Sequence, residues 1–169
     1  NPSDWETAKD GWQFISMPMT DVYYNDFTCL DEHDLYKYDG SKENEWLNYK
    51  EGNDFEEGTF KSGYGYLATL KDVKTATVYG TLNVANPFAY RQFSWKENGE
   101  LANLHLIGNP FTYNLNWDDV TQYSMVNGYA YVKANGEYEY KTDGEIKVGE
   151  GFFVKTIASY PSIQINTRS

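Results

Sequence analysis

Apolar and polar residues alternate along most of this chain, in short runs. Residues 45–50 and 88–95 each repeat on a period of two, the mark of a strand with one face turned inward, and residues 64–70 read as another strand. Residues 12–18 form an apolar run that proline closes. Residues 35–38 end in Asp39-Gly40, a pair suited to the tight turn of a hairpin. With residues 45–50 as the return strand, a hairpin is predicted across residues 39–44. Residues 129–133 and 138–141 predict a second hairpin across Ala134-Asn135-Gly136. Further strands are expected at residues 75–84 (one or two, around Gly80), 101–108, near Ile146, 152–157 and 162–165, with a turn at Glu97-Asn98-Gly99-Glu100. Helix signals are confined to residues 118–123, where two aspartates open the segment, and residues 28–35. Many short strands with glycine turns between them predict an all-β chain, a β-sandwich of two antiparallel sheets.

The pattern also repeats. Ile15-Ser16-Met17-Pro18-Met19-Thr20 is echoed by Ile107-Gly108-Asn109-Pro110-Phe111-Thr112. Gly63-Tyr64-Gly65-Tyr66-Leu67 is echoed by Gly149-Glu150-Gly151-Phe152-Phe153. The second copy is a few residues shorter between these motifs, as loop deletions allow and strand registers do not. The expected organisation is one sandwich domain over residues 1–169, built from pseudo-repeats at about 11–97 and 101–166, each contributing to a shared core. Were there two independent domains, the boundary would fall near Asn98-Gly99. Each half would then have a small core and no disulfide to support it.

Repetition assigns Trp12, Phe14, Tyr66, Phe111, Phe152 and Phe153 to the core, because residues present in both copies are the ones the fold needs. Gly108 permits close backbone approach, and Asn109-Pro110 stops a strand.

Composition narrows the function. The net charge of −11 argues against nucleic acid and against anionic membrane surfaces, both of which need a Lys/Arg footprint. No apolar run approaches the ~20 residues of a membrane span. Cys29 is the one cysteine, so there is no intramolecular disulfide and no cysteine-rich metal site. The polar start Asn1-Pro2-Ser3-Asp4 reads as that of a mature or excised fragment. The chain is expected to be part of a larger polypeptide and to be monomeric.

Aromatic residues make up 18% of the chain, with 5 Trp, 16 Tyr and 9 Phe. Tyrosine leads, so many rings carry a polar handle.

Catalytic signatures are missing. There is no Gly-x-Ser-x-Gly, no His-Glu-x-x-His and no phosphate-cradling glycine loop. Cys29 and His33, with Asp31, Glu32 and Asp34 nearby, lack the base and oxyanion geometry that a nucleophile needs. His105 reads as a half-buried strand residue. With 25 acidic residues, carboxylate pairs arise by chance. The chain is therefore read as not an enzyme and as needing no cofactor. Asp118-Asp119 and Asp31-Glu32-Asp34 offer oxygen ligands to calcium without EF-hand spacing; otherwise they are solvated faces.

Exposed rings are the better lead, since a sugar stacks on a flat apolar face while nearby polar groups orient it. Trp117 and Trp95 have no counterpart in the other copy, so they are the first candidates, with Tyr113, Asp118 and Asp119 as polar neighbours. Trp46 and its counterpart Tyr138 follow, on hairpin strands.

Residues 11–18 (Gly-Trp-Gln-Phe-Ile-Ser-Met-Pro), 106–111 (Leu-Ile-Gly-Asn-Pro-Phe) and 148–155 (Val-Gly-Glu-Gly-Phe-Phe-Val-Lys) together resemble a β-rich module of secreted and surface proteins of the Bacteroidota. The likeness covers about residues 11–165. It implies a secreted or cell-surface setting beside enzymes, adhesins or sorting domains, with no settled activity. The expectation is a non-catalytic module of an exported protein that binds a polysaccharide or other glycan. The alternative is a protein-interaction or adhesin domain, or a structural spacer. A small hydrolase would need two carboxyls facing each other in a cleft.

Overall fold

The computed structural model describes residues 11–27, 33–51, 58–70, 77–83, 88–91, 103–123, 125–157 and 162–167. Its strands in chain order are β1 (Gln13–Ser16), β2 (Met19–Thr20), β3 (His33–Tyr38), β4 (Trp46–Asn48), β5 (Gly65–Leu70), β6 (Thr81–Leu82), β7 (Phe88–Arg91), β8 (Leu104–Gly108), β9 (Leu115–Asn116), β10 (Val120–Tyr123), β11 (Tyr129–Val132), β12 (Tyr138–Lys141), β13 (Glu145–Ile146), β14 (Gly151–Lys155) and β15 (Ser162–Thr167). One helical turn, α1 (Tyr24–Phe27), and 3₁₀ turns at Tyr49–Glu51 and Trp117–Asp119 complete the described elements. The chain is all-β, and its strand pairs are antiparallel.

Both predicted hairpins form. Tyr38 pairs with Trp46 across the Asp39-Gly40 turn, and Val132 pairs with Tyr138 across Asn135-Gly136. The Asp39 carboxylate accepts from the Ser41 backbone at 3.0 Å, and the Asn135 side chain accepts from the Glu137 backbone at 3.0 Å. Each turn residue thus bonds the chain two residues on, which is why Asp and Asn favour such corners.

The strands assemble into more sheets than the two expected. The first sheet runs β1-β5-β3-β4, and the second runs β8-β14-β11-β12. A three-stranded sheet, β10-β15-β7, and two ribbons, β9-β13 and β2-β6, lie beside them. Residues 118–123 were expected to make a helical turn. They instead enter β10, whose Val120 pairs with Thr167 of β15. The acidic start is spent on the short 3₁₀ turn, and pairing with a distant strand overrides local propensity. Residues 28–32 lie outside the described residues, as do Trp95 and the segment 97–100.

The repeated motifs occupy matching places. In each large sheet the strand before the proline is an edge, the Gly-x-Gly strand is its neighbour, and the hairpin follows. The two halves also meet reciprocally. Ile15 bridges Glu150 as Ile107 bridges Tyr64. The Ser16 N–H donates to the Gly149 carbonyl at 2.8 Å, and the Gly108 N–H donates to the Gly63 carbonyl at 2.8 Å. These contacts are reciprocal between the two sets of motifs.

The Gly-x-Gly motif makes this junction possible. Gly63 and Gly149 have φ of +79° and +84°, a region that glycine enters without strain. A Cβ on Gly65 would lie 2.6 Å from the Ile107 carbonyl oxygen, and one on Gly151 would lie 3.0 Å from that of Ile15. The bare backbone lets each half approach the other.

Three apolar clusters follow from the strand alternation. Phe14, Leu67, Tyr38 and Trp46 of the first sheet face Leu104, Leu106, Phe153, Ala130 and Val132 of the second. This is the layer between the sheets. The opposite face of the first sheet carries Leu35, Tyr66 and Ala68 against Val22, Tyr24 and Phe60. The opposite face of the second carries Ile107, Phe152, Val154 and Tyr129 against Trp117, Leu115 and Ile165. Each fully buried large side chain here stabilises the fold by about 2–3 kcal/mol.

Candidate functional site

A pocket of about 300 Å³ lies beside the second sheet. Tyr129, Tyr131 and Val132 of β11 with Gly151 and Phe152 of β14 lie at its floor, with Tyr131 partly exposed and Tyr129 and Phe152 buried; Gln13 and Phe14 of β1, Lys141, Glu145, Ile146 and Glu150 complete its lining. Tyr129, Tyr131, Phe152 and Lys141 share one face of the sheet, because Tyr129 pairs with Lys141 and side chains alternate along β11. Gln13 reaches the pocket because β1 lies along the start of β14, where Gly151 carries no side chain.

The polar groups of the rim are held by their surroundings. Asn114 donates to the Glu145 carboxylate at 3.1 Å, and the Lys147 N–H donates to the Glu150 carboxylate at 2.9 Å. The Asn114 side-chain oxygen also accepts from Val148 N–H at 3.2 Å, so one asparagine ties both ends of the 145–148 segment. The Lys141 ammonium lies 5.1 Å from the Tyr131 ring centroid. Its hydrogen bond to Tyr131, and then the charge there, hold its pKa above the usual lysine value. The Tyr129 hydroxyl donates to the Asp143 carbonyl at 3.0 Å, and burial raises its pKa.

Behind the floor stands Trp117. It was expected to offer an exposed face, and the structure corrects this: the residue is 2% exposed. Its ring packs 4.9 Å from Tyr129 and 5.9 Å from Phe152, and its indole N–H donates to Asn127 at 3.3 Å. A large ring without a counterpart in the other half has been recruited to the core, where its apolar area is worth most.

The other expected site residues are dispersed. Tyr113 is exposed and stacks on Phe111 at 5.1 Å. Asp118 and Asp119 are exposed on the 3₁₀ turn, where Asn116 caps the Asp118 N–H. None of these three lines the pocket. Trp46 and Tyr138 do come together, as counterparts on the layer between the sheets. Trp46 lies 6.3 Å from Phe14 and 6.0 Å from Phe153; Tyr138 lies 6.2 Å and 6.1 Å from the same two rings. Trp46 is half-buried and Tyr138 is 56% exposed, so Tyr138 shows a face at the rim of this aromatic layer. Trp95 lies outside the described residues.

Sequence reasoning missed Gln13, Tyr131, Lys141, Glu145 and Glu150. The signal lay where the copies exchange residue type at matching positions. Glu150 stands where the first copy has Tyr64, and Tyr131 stands where it has Lys37.

Among the described residues, no group of three or more His, Cys, Asp or Glu side chains is placed to hold a metal ion. Cys29, Asp31 and Glu32 lie outside the described residues. Asp34 is buried in β3, with Lys50 at 3.0 Å and Asn48 donating to it at 3.1 Å. His105 is buried, 3.4 Å from the Thr156 hydroxyl, and burial lowers its pKa to about 4. Among the described residues no helix is long and apolar enough to cross a membrane.

No protein-family profile matches the chain, and neither a curated protein nor a solved structure matches it.

Proposed function

We propose that this chain is a non-catalytic carbohydrate-binding module of an exported or cell-surface bacterial protein, working without a cofactor. The pocket beside β11 and β14 carries the reading. Small-molecule sites are concave, mostly apolar and fitted with a few oriented polar groups, with volumes from about 300 Å³ upward. This one joins the partly exposed Tyr131 ring to Gln13, Lys141, Glu145 and Glu150 at the rim. A sugar laid against Tyr131 turns its C–H face to the ring and its hydroxyls to the rim. Hydrogen bonds from Asn114 and Lys147 hold the carboxylates before any ligand arrives, which lowers the cost of binding.

Calorimetric titration with a panel of neutral and charged oligosaccharides tests this. Binding is expected in the wild type and should weaken at least about tenfold, near 1.4 kcal/mol, in Tyr131→Ala. A panel with no binder sinks the proposal. New reducing ends appearing during the titration would also sink it and turn Glu145 and Glu150 into hydrolase candidates.

A second reading rests on β12, an outer strand of its sheet with exposed Tyr138 and Tyr140. An outer strand with two exposed rings can take an extended peptide by strand addition, as an adhesin or interaction domain would.

A further inference from the structure

The charge balance of the same pocket bears on the kind of sugar. Glu145 and Glu150 line it together with a single cation, Lys141. That cation is turned to the Tyr131 ring and hydroxyl. Each carboxylate is held by a neutral donor, Asn114 or the Lys147 backbone, and among the described residues neither is in an ion pair. Water hydrates both in the free protein. A ligand that fills the pocket strips part of that water, and an uncompensated carboxylate then costs free energy. A neutral sugar returns hydrogen bonds but no charge. An anionic sugar adds repulsion, reinforced by a chain whose net charge is −11. An ammonium offsets the cost and forms the stronger, charge-assisted hydrogen bonds. A bare cation is not the fitting ligand, because the partly exposed Tyr131 ring offers a flat apolar face for a ligand ring to lie against.

We infer that this pocket takes an amino sugar with a free, protonated amine, its ring on the β11–β14 floor and its ammonium between Glu145 and Glu150. The inference rests on the carbohydrate reading above and specifies its ligand class.

Three titrations decide it, with a glucosamine trimer, its N-acetylated form and a lysine trimer as probes, at a pH where the amines are protonated. The glucosamine trimer is expected to bind at least about tenfold tighter than the acetylated one, with an advantage that shrinks as salt rises. Glu145→Gln/Glu150→Gln should abolish that preference while leaving the melting temperature in place. Equal or tighter binding of the acetylated trimer, or an unchanged preference in the double variant, overturns the inference. So does a lysine trimer that binds as well as the glucosamine trimer. If the acetylated trimer binds through Tyr131, the amine specificity fails and the sugar-binding module stands. If no sugar binds, both fall.

Discussion

The first and second sheets follow one route through the chain, edge strand, hairpin and Gly-x-Gly strand, yet they do different work with it. Where they meet, the residues are matched: Ile15 with Ile107, Gly63 with Gly149, Gly65 with Gly151. Away from the junction they diverge. The Gly-x-Gly of the first half encloses Tyr64, which packs against the core around Leu35 and Tyr66. That of the second encloses Glu150, which points its carboxylate into a pocket wall. Met17 is a buried apolar residue in the first half. Its counterpart Asn109 is fully buried, donating to the Tyr113 and Ile146 carbonyls at 2.9 and 3.2 Å and accepting from Phe111 N–H at 2.9 Å. These bonds fix the loop that carries Asn114, which holds Glu145 at the pocket. Shared positions hold the two halves together; exchanged positions turn one of them into a surface with chemistry.

The largest expected effect comes from emptying the core of the second half. Trp117→Ala should cost about 3–5 kcal/mol, the range for a buried tryptophan, read as a shift in urea midpoint. A cost below about 1 kcal/mol would mean that Trp117 is not the support of the floor. Next comes the junction itself. A Cβ at Gly108 would overlap the Ser16 Cβ and Oγ. These are counterpart positions, and the space between them holds one side chain. Gly108→Ala should therefore cost about 3 kcal/mol or more through overpacking. Adding Ser16→Gly should restore much of that in a double-mutant cycle. Two additive losses would show that the halves do not share this space.

The smallest effect is conditional on pH. His105 has a pKa lowered to about 4 in the folded chain against 6.5 ordinarily, so the unfolded chain binds its proton first. Its contribution to stability is complete above pH 6.5, falls as the pH drops toward 4, and reaches roughly 3 kcal/mol of loss there. The first half has Gln13 at the matching position. His105→Gln should flatten this part of the stability–pH curve, read as the wild-type minus variant difference between pH 7 and pH 4. A difference that does not change with pH would sink the buried-histidine account.

Much of the architecture was legible because it is written locally. Asp39-Gly40 and Asn135-Gly136 mark both hairpins, and two-residue alternation gives β4 and β7. Phe14, Tyr66, Phe111, Phe152 and Phe153 were placed in the core from repetition alone and are buried, whereas Trp12, placed there with them, is only half-buried. The short strands β9 and β10 were not legible. Each is defined by a distant partner, Ile146 or Thr167, and no local pattern records such a partner. The pocket escaped for a related reason. Trp117 is conspicuous in sequence and hidden in the fold, because a large ring without a counterpart can fill a gap as readily as it can face water. Gln13, Tyr131 and Glu150 are inconspicuous singly and gain meaning when β1 is laid along β14.

β15 pairs on one side with β7 and on the other with β10. Ile163 lies opposite Tyr90, and Thr167 opposite Val120. As the chain leaves the ribosome from its N-terminus, β7 and β10 are therefore both made before the strand that joins them. Until then each carries an unsatisfied hydrogen-bonding edge, and closing it requires a loop of some seventy residues to be gathered in, a slow step in folding. The last strand acts as a latch: a ribosome stalled short of residue 162 would hold a chain with its two large sheets made and its third still open to any passing edge.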